Sequence, residues 1–181
     1  GYPVLIKVKN MYDNDTKGAF GLGGTNGSGQ VPALDIASLV DVDTPQSAMK
    51  WTSQYDQSTY HLVFSDEFET DGRTFWPGDD PFWEAVDLWY SGTGDYEWYS
   101  PEAVNTTGGA MVIALEEYET HNKNFRSGMV QSWNKFCFQG GYIEFSVKLP
   151  GSPSSTGYWP AVWLMGNLGR PGYLASAEGT W

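Results

Sequence analysis

The residues of this chain best suited to chemistry are two indoles four positions apart, in Tyr158-Trp-Pro-Ala-Val-Trp-Leu-Met165. On an extended strand side chains alternate faces, so Trp159, Ala161, Trp163 and Met165 share one side, with the indoles about 13 Å apart. Two flat rings separated by a small residue suit the floor of a groove for an extended sugar chain. The competing reading is that both rings are core. Pro160 has no N–H to give a ladder, so a strand here must be bulged or locally unpaired at that point.

Carboxylates are the second candidates. Hydrolysis with retention needs two carboxyl groups about 5–5.5 Å apart, one a nucleophile and one an acid/base. Same-face residues at i and i+2 on a strand are a simple solution, and Glu67 and Glu69 form such a pair. They stand in a polar, loop-adjacent stretch, where solvation, a structural hydrogen bond or a cation role competes with catalysis. Glu116, Glu117 and Glu119 read as a solvated strand end, and Asp79, Asp80, Glu84 and Asp87 have no focused partner in sequence. Arg126, in Phe125-Arg-Ser-Gly128, is placed to bind a sugar or to pair with a core carboxylate, and the sequence leaves both open.

Other chemistries have little to build from. The two histidines, His61 and His121, are isolated, and Cys137 is the one cysteine. Neither a nucleophile triad nor a metal-ligand spacing can be assembled, so no metal and no cofactor is expected. Cys137 is either a buried apolar residue or one half of a pairing outside the chain. The glycines between Gly18 and Gly29 are not followed by Gly-Lys-Ser/Thr, which argues against a phosphate loop. A net charge of −12 repels phosphate backbones and anionic lipid, so nucleic acid is not an expected partner.

The elements that must position these residues read as strands. Aromatics make up 16% of the chain against 18% charged residues, a balance that suits pleated, half-buried faces. Residues 11–47 are rich in Gly, Ser, Thr and Asn without periodicity and predict a solvated linker, so the domains divide as linker 1–50 and folded unit 51–181. Strand signals follow over His61–Ser65, Tyr96–Tyr99 and Met111–Leu115, the last an apolar run expected to be buried on both faces. Tyr142–Leu149 alternates, with Ile143, Phe145, Val147 and Leu149 on one face, and Tyr158–Met165 is a long aromatic run. Phe82–Tyr90 alone suggests a short helical turn. Short strands separated by Gly/Pro turns predict an all-β sandwich or jelly roll. About six strands are counted against the eight or so of a jelly roll, which predicts an architecture incomplete at its carboxyl end and poorly stable alone.

Two features bear on location. Gly1–Ile6 is apolar but far short of the roughly 20 residues that cross a bilayer, and reads either as the tail of an upstream span or as an ordinary chain start. Asn14, Asn26 and Asn105 each begin an N-x-S/T triplet and are candidate glycan acceptors in a secretory setting.

Several of these segments resemble glycoside hydrolase family 16 in order along the chain: Leu62–Phe68, Tyr96–Tyr99, Arg126–Ser132, Gly141–Pro150 and Gly157–Gly166. Asp80–Leu88, Gln131–Phe138 and Gly166–Arg170 resemble, more narrowly, the fungal proteins associated with cell-wall β-1,6-glucan synthesis, as does Gly18–Asn26 near the start. The resemblance implies a concanavalin-like sandwich, β-glucan as substrate, and hydrolysis or transglycosylation. It also implies a type II membrane protein of the secretory pathway or plasma membrane, its span upstream of Gly1 and its folded domain lumenal or extracellular. Catalysis in the wider family rests on a Glu-x-Asp-x-x-Glu strand after the stretch that matches Trp159–Gly166. That motif does not occur in the sequence, so the resemblance carries over no catalytic residue; it implies an amino-terminal fragment. What it does carry over is the pair Trp159 and Trp163, and it suggests a disulfide partner for Cys137 beyond the chain. Three readings follow: a β-glucan glycosidase or transglycosylase, a non-catalytic glucan-binding or scaffolding module, and a legume-lectin-like domain for another glycan.

Overall fold

A computed structural model describes residues 39–166 and Gly169. Nine short strands and two 3-10 turns make up the regular structure of those residues, so the all-β class read from the sequence is the class observed. The Gly-rich stretch, Asn14, Asn26 and Gly1–Ile6 lie outside the described residues.

The strands form four small sheets. β1 (Lys50–Thr52) and β2 (Thr59–His61) are an antiparallel hairpin in which Trp51 faces Tyr60. β3 (Glu84–Ala85) pairs with β9 (Val130–Gln131). β4 (Glu97–Tyr99) runs parallel to β8 (Lys123–Ser127), which is itself antiparallel to β7 (Glu116–Thr120), giving the order β4-β8-β7. β5 (Val104–Thr106) and β6 (Met111–Ile113) form a further hairpin. The β7–β8 turn is His121–Asn122, with φ of 50° and 59°. Positive φ at both central residues is the type I′ geometry, whose twist matches that of the strands it joins.

Backbone bonds outside the ladders tie the sheets together. Leu88 and Tyr99 exchange two of them, linking the segment after β3 to β4. Ala85 N–H donates to the Phe75 carbonyl at 2.7 Å and Ala114 N–H to that of Ala103 at 2.9 Å. Where these segments meet lies a small core of Phe75, Ala85 and Val104, flanked by Trp83, Met111 and Val130. Gly128 lets the chain pass close by: a Cβ there would stand 2.3 Å from Val104 Cγ2. On the linker side of the expected boundary, Asp41 N–H donates to Ser65 Oγ and Glu67 N–H donates back to Asp41 Oδ2.

Several expected elements take another form. Phe82–Tyr90 is not helical. Asp80 Oδ1 accepts the N–H groups of Phe82 and Trp83, as a helix N-cap would, but the chain then extends at Glu84 to pair with β9. Met111–Leu115 is a strand over its first three residues only, and Val112 and Ile113 are exposed rather than buried on both faces. Tyr142–Leu149 and Tyr158–Met165 are irregular and carry no ladder, and their apolar residues are largely exposed. Alternation marks which side chains can share a face; a strand also needs a partner backbone, which a local pattern does not specify.

Candidate functional site

Trp159 and Trp163 lie in an irregular segment entered through Gly157 at φ 100°. Neither indole is packed in the core: Trp159 is 93% exposed and Trp163 52%. Tyr158 folds back against Gly151, where a Cβ would meet Tyr158 Cε2 at 2.7 Å. Open rings of this kind can stack on a sugar face, since the apolar area is already presented to solvent.

Arg126 is engaged elsewhere. From β8 its Nε and Nη2 donate to Glu116 Oε2 at 3.1 and 2.7 Å, Nη1 pairs with Glu102, and the guanidinium lies 4.1 Å from the centre of the Tyr118 ring. Both carboxylates are exposed. The partners of Arg126 are therefore surface glutamates, not the core carboxylate considered from sequence. Asn105 is exposed on β5, as a glycan acceptor must be. Cys137 is an exposed free thiol, not a core residue.

The carboxylate pair is not assembled as a strand face. Glu67 and Glu69 lie in an irregular stretch, where Glu67 Oε1 accepts from Thr44 Oγ1 and the Glu69 carboxyl packs against Gly109. Asp66, between them and the chain start, is used instead in a buried ionic knot that sequence reasoning missed. Arg73 Nη1 and Nη2 donate to the two oxygens of Asp66 at 2.7 and 2.8 Å, while Nε and Nη2 donate to Asp80 Oδ2 at 3.1 and 2.7 Å. The side chains of Arg73, Asp66 and Asp80 are only 4, 6 and 1% exposed. Trp83 Nε1 donates to Asp66 Oδ2, and the Phe68 and Phe75 rings approach the guanidinium to 5.3 and 5.6 Å. Burial pushes the Asp80 carboxyl above its ordinary range, and the Arg73 charge offsets this only in part. Burial opposes the Arg73 charge as well, but the two carboxylates overcome it and hold the guanidinium more firmly protonated than usual. With its hydrogen bonds met inside the protein, the knot is built to hold the chain together. Asp80, Glu84 and Asp87, which had no focused partner in sequence, pair with Arg73, Lys135 and the Trp98 indole N–H. The spacing of seven between Asp66, Arg73 and Asp80 was the one available signal; it is that of two helical turns, and this Gly- and Pro-broken stretch forms no helix.

Further aromatic faces emerge. Trp51 stacks on Tyr142 at 4.3 Å and 6°, and both remain half exposed. Trp98 stacks on His121 at 3.9 Å and 10°, and Lys123 Nζ sits 3.5 Å above the Trp89 ring. Among the described residues no group of His, Cys, Asp or Glu is arranged to hold a metal ion, and no helix is long and apolar enough to cross a membrane.

The family model described as "Beta-glucan synthesis-associated protein SKN1/KRE6/Sbg1" matches residues 1–181. The chain belongs to this family. It is 54% identical over 144 residues to the Beta-glucan synthesis-associated protein SKN1 of Candida albicans, covering 80% of the chain and 19% of that protein. It is 52% identical over 154 residues to KRE6 of Saccharomyces cerevisiae, covering 84% of the chain and 21% of KRE6. The chain thus spans about a fifth of the length of these relatives. A more distant similarity, 28% over 156 residues, is to the Endo-1,3-1,4-beta-glycanase EglC of Rhizobium meliloti, covering 74% of the chain and 30% of that protein. Among solved structures, an endo-beta-1,3-glucanase from Pyrococcus furiosus aligns over 51% of the chain and 36% of its own, at 16% identity and a TM-score of 0.39.

Proposed function

We propose that this chain is the amino-terminal part of a glycosidase or transglycosylase that acts on β-glucan during fungal cell-wall β-1,6-glucan synthesis. Its share of the task is to hold the polysaccharide. The observation that carries this reading is the pair of open indoles, Trp159 and Trp163, in a segment free to present them. The family match and the remote similarity to an endo-glycanase support glucan as the ligand class. On this reading the strands belong to a two-sheet shell of concanavalin type, and the protein sits at a secretory or plasma membrane, its span upstream of Gly1 and this domain facing the lumen or exterior. Exposed Asn105 is then a glycan acceptor.

A second reading, a non-catalytic glucan-binding module, is favoured by the use of Asp66 and Asp80. These are the two carboxylates of the knot, both buried, and their bonds to Arg73 hold them in a structural role.

One experiment separates the two. The full-length protein is titrated with β-1,6- and β-1,3-linked gluco-oligosaccharides, followed by tryptophan fluorescence, alongside an assay for released reducing ends. The glucan reading expects saturable quenching that falls at least fivefold in affinity in Trp159→Ala and Trp163→Ala. Unchanged affinity in both variants refutes the indole platform. Reducing ends released above a no-protein control refute the module.

A further inference from the structure

We propose a second saccharide contact, built for one sugar ring, in the groove between Tyr96 and the first residues of β8. The groove has a volume of about 230 Å³ and is lined by Tyr96, Asn122, Lys123, Asn124 and Phe125. That is below the roughly 300–1,000 Å³ typical of sites that enclose a whole drug-sized ligand, and it suits a single ring.

The lining has the chemistry of polyol recognition. Tyr96 is 80% exposed and offers an aromatic face, with Phe125 beside it also exposed. Asn122 and Asn124 bring carboxamides, each with two N–H donors and one acceptor oxygen, matched to hydroxyls that donate and accept in turn. None of these described lining residues is acidic, although the chain carries a net charge of −12.

The groove is also held in shape before any ligand arrives. Asn122 is fixed by the type I′ turn, and its neighbour His121 is stacked on Trp98. Lys123 is clamped: its ammonium lies over the Trp89 ring and donates to the Asp95 carbonyl at 3.4 Å. Trp89 is in turn anchored by its indole N–H on the same carbonyl at 2.7 Å, and the Asp95 carboxylate accepts from the Tyr99 hydroxyl. The ammonium is thus bound to protein groups, which favours a neutral ligand over an anion. Groups held in place in advance lose little freedom on binding.

The ligand class rests on the glucan reading above; the groove does not. The test is an amide-resonance titration of the whole chain with methyl β-glucoside and with gentiobiose, a β-1,6-linked glucose pair. Saturable shifts are expected at Tyr96 and residues 122–125. Tyr96→Ala and Asn122→Gly should each weaken them at least fivefold, the glycine preserving the positive φ of the turn. Tyr55→Ala, an exposed tyrosine in the β1–β2 loop, should leave the affinity unchanged. Shifts confined to Trp159 and Trp163 would overturn the groove and leave the glucan reading standing. Groove shifts without any at the indoles would do the opposite. Tighter binding of glucose 6-phosphate than of methyl glucoside, or the absence of groove shifts with either sugar, would also overturn the inference.

Discussion

Replacing Arg73 by Met should cost about 4 kcal/mol of folding stability at neutral pH. The side chain makes four charge-assisted hydrogen bonds to two carboxylates that water scarcely reaches. Methionine fills much of the same volume, so the loss is electrostatic rather than a cavity. Breaking a buried pair by removing one partner costs about 3–5 kcal/mol, because the other charge stays buried and uncompensated. Two carboxylates are stranded here, which argues for the upper end; protonation of Asp80, already favoured by burial, pulls the value back. Without the guanidinium, the Asp80 carboxyl, already raised by burial, loses the charge that holds it down and should titrate higher still. The folded variant then binds more protons than the unfolded chain, and its stability falls as pH rises from about 4. The deficit against wild type should therefore shrink at pH 4 and be largest at pH 7. Arg73→Lys keeps the charge but not the fork, and should lose about 1.5–3 kcal/mol. Urea unfolding at pH 4 and pH 7, followed by near-ultraviolet circular dichroism, measures all of this. A loss below about 1 kcal/mol for Arg73→Met at pH 7, or a deficit independent of pH, would refute the account.

Gly128→Ala should destabilise by about 1–3 kcal/mol in the same denaturation assay, because the new Cβ would meet Val104 Cγ2 and force β5 or β8 to shift. Arg126→Ala should cost less than about 1 kcal/mol, since its partners Glu102 and Glu116 are exposed and the pairs are well solvated. Burial, aided by the hydrogen bond to Asp95, pushes the Tyr99 phenol above its ordinary value. Its folded pKa is raised, so its contribution is complete below the unfolded tyrosine value near 10 and is lost as pH climbs above that. Thermal melts of wild type and Tyr99→Phe between pH 8 and 11 should show the shallower alkaline decline in the variant.

The fold class was legible because aromatic and β-branched runs broken by Gly and Pro leave few alternatives to strands. Glu97–Tyr99 and Met111–Ile113 are strands within the segments expected to contain them. Less legible was anything that depends on a partner remote in sequence. The alternation of Tyr142–Leu149 predicted a strand that carries no ladder, and the apolar opening of Phe82–Tyr90 suggested a helix where Gln131 and Val130 draw the chain into a sheet. The indole pair stood out because two tryptophans around Pro-Ala are distinctive at the level of residue type. The Arg73 knot could not stand out, since its three members are ordinary charged residues in a turn-rich stretch and acquire meaning only when buried together. The groove at Tyr96 was equally hidden, as it joins one strand's approach to another's hairpin turn.

The middle strand of the three-stranded sheet has two very different neighbours. β7 reaches it across a two-residue turn, whereas β4 reaches it only after the whole β5–β6 hairpin has been laid down between them. Hairpins close on the order of 1–10 μs, while parallel pairing across a long connection waits on the slower closure of that loop. Folding of this sheet should then run in two stages, with the hairpin amides of β7 and β8 shielded from exchange first and those of β4 later. Until β4 docks, Tyr96 cannot come to rest beside Asn122, so the groove is among the last features the molecule acquires.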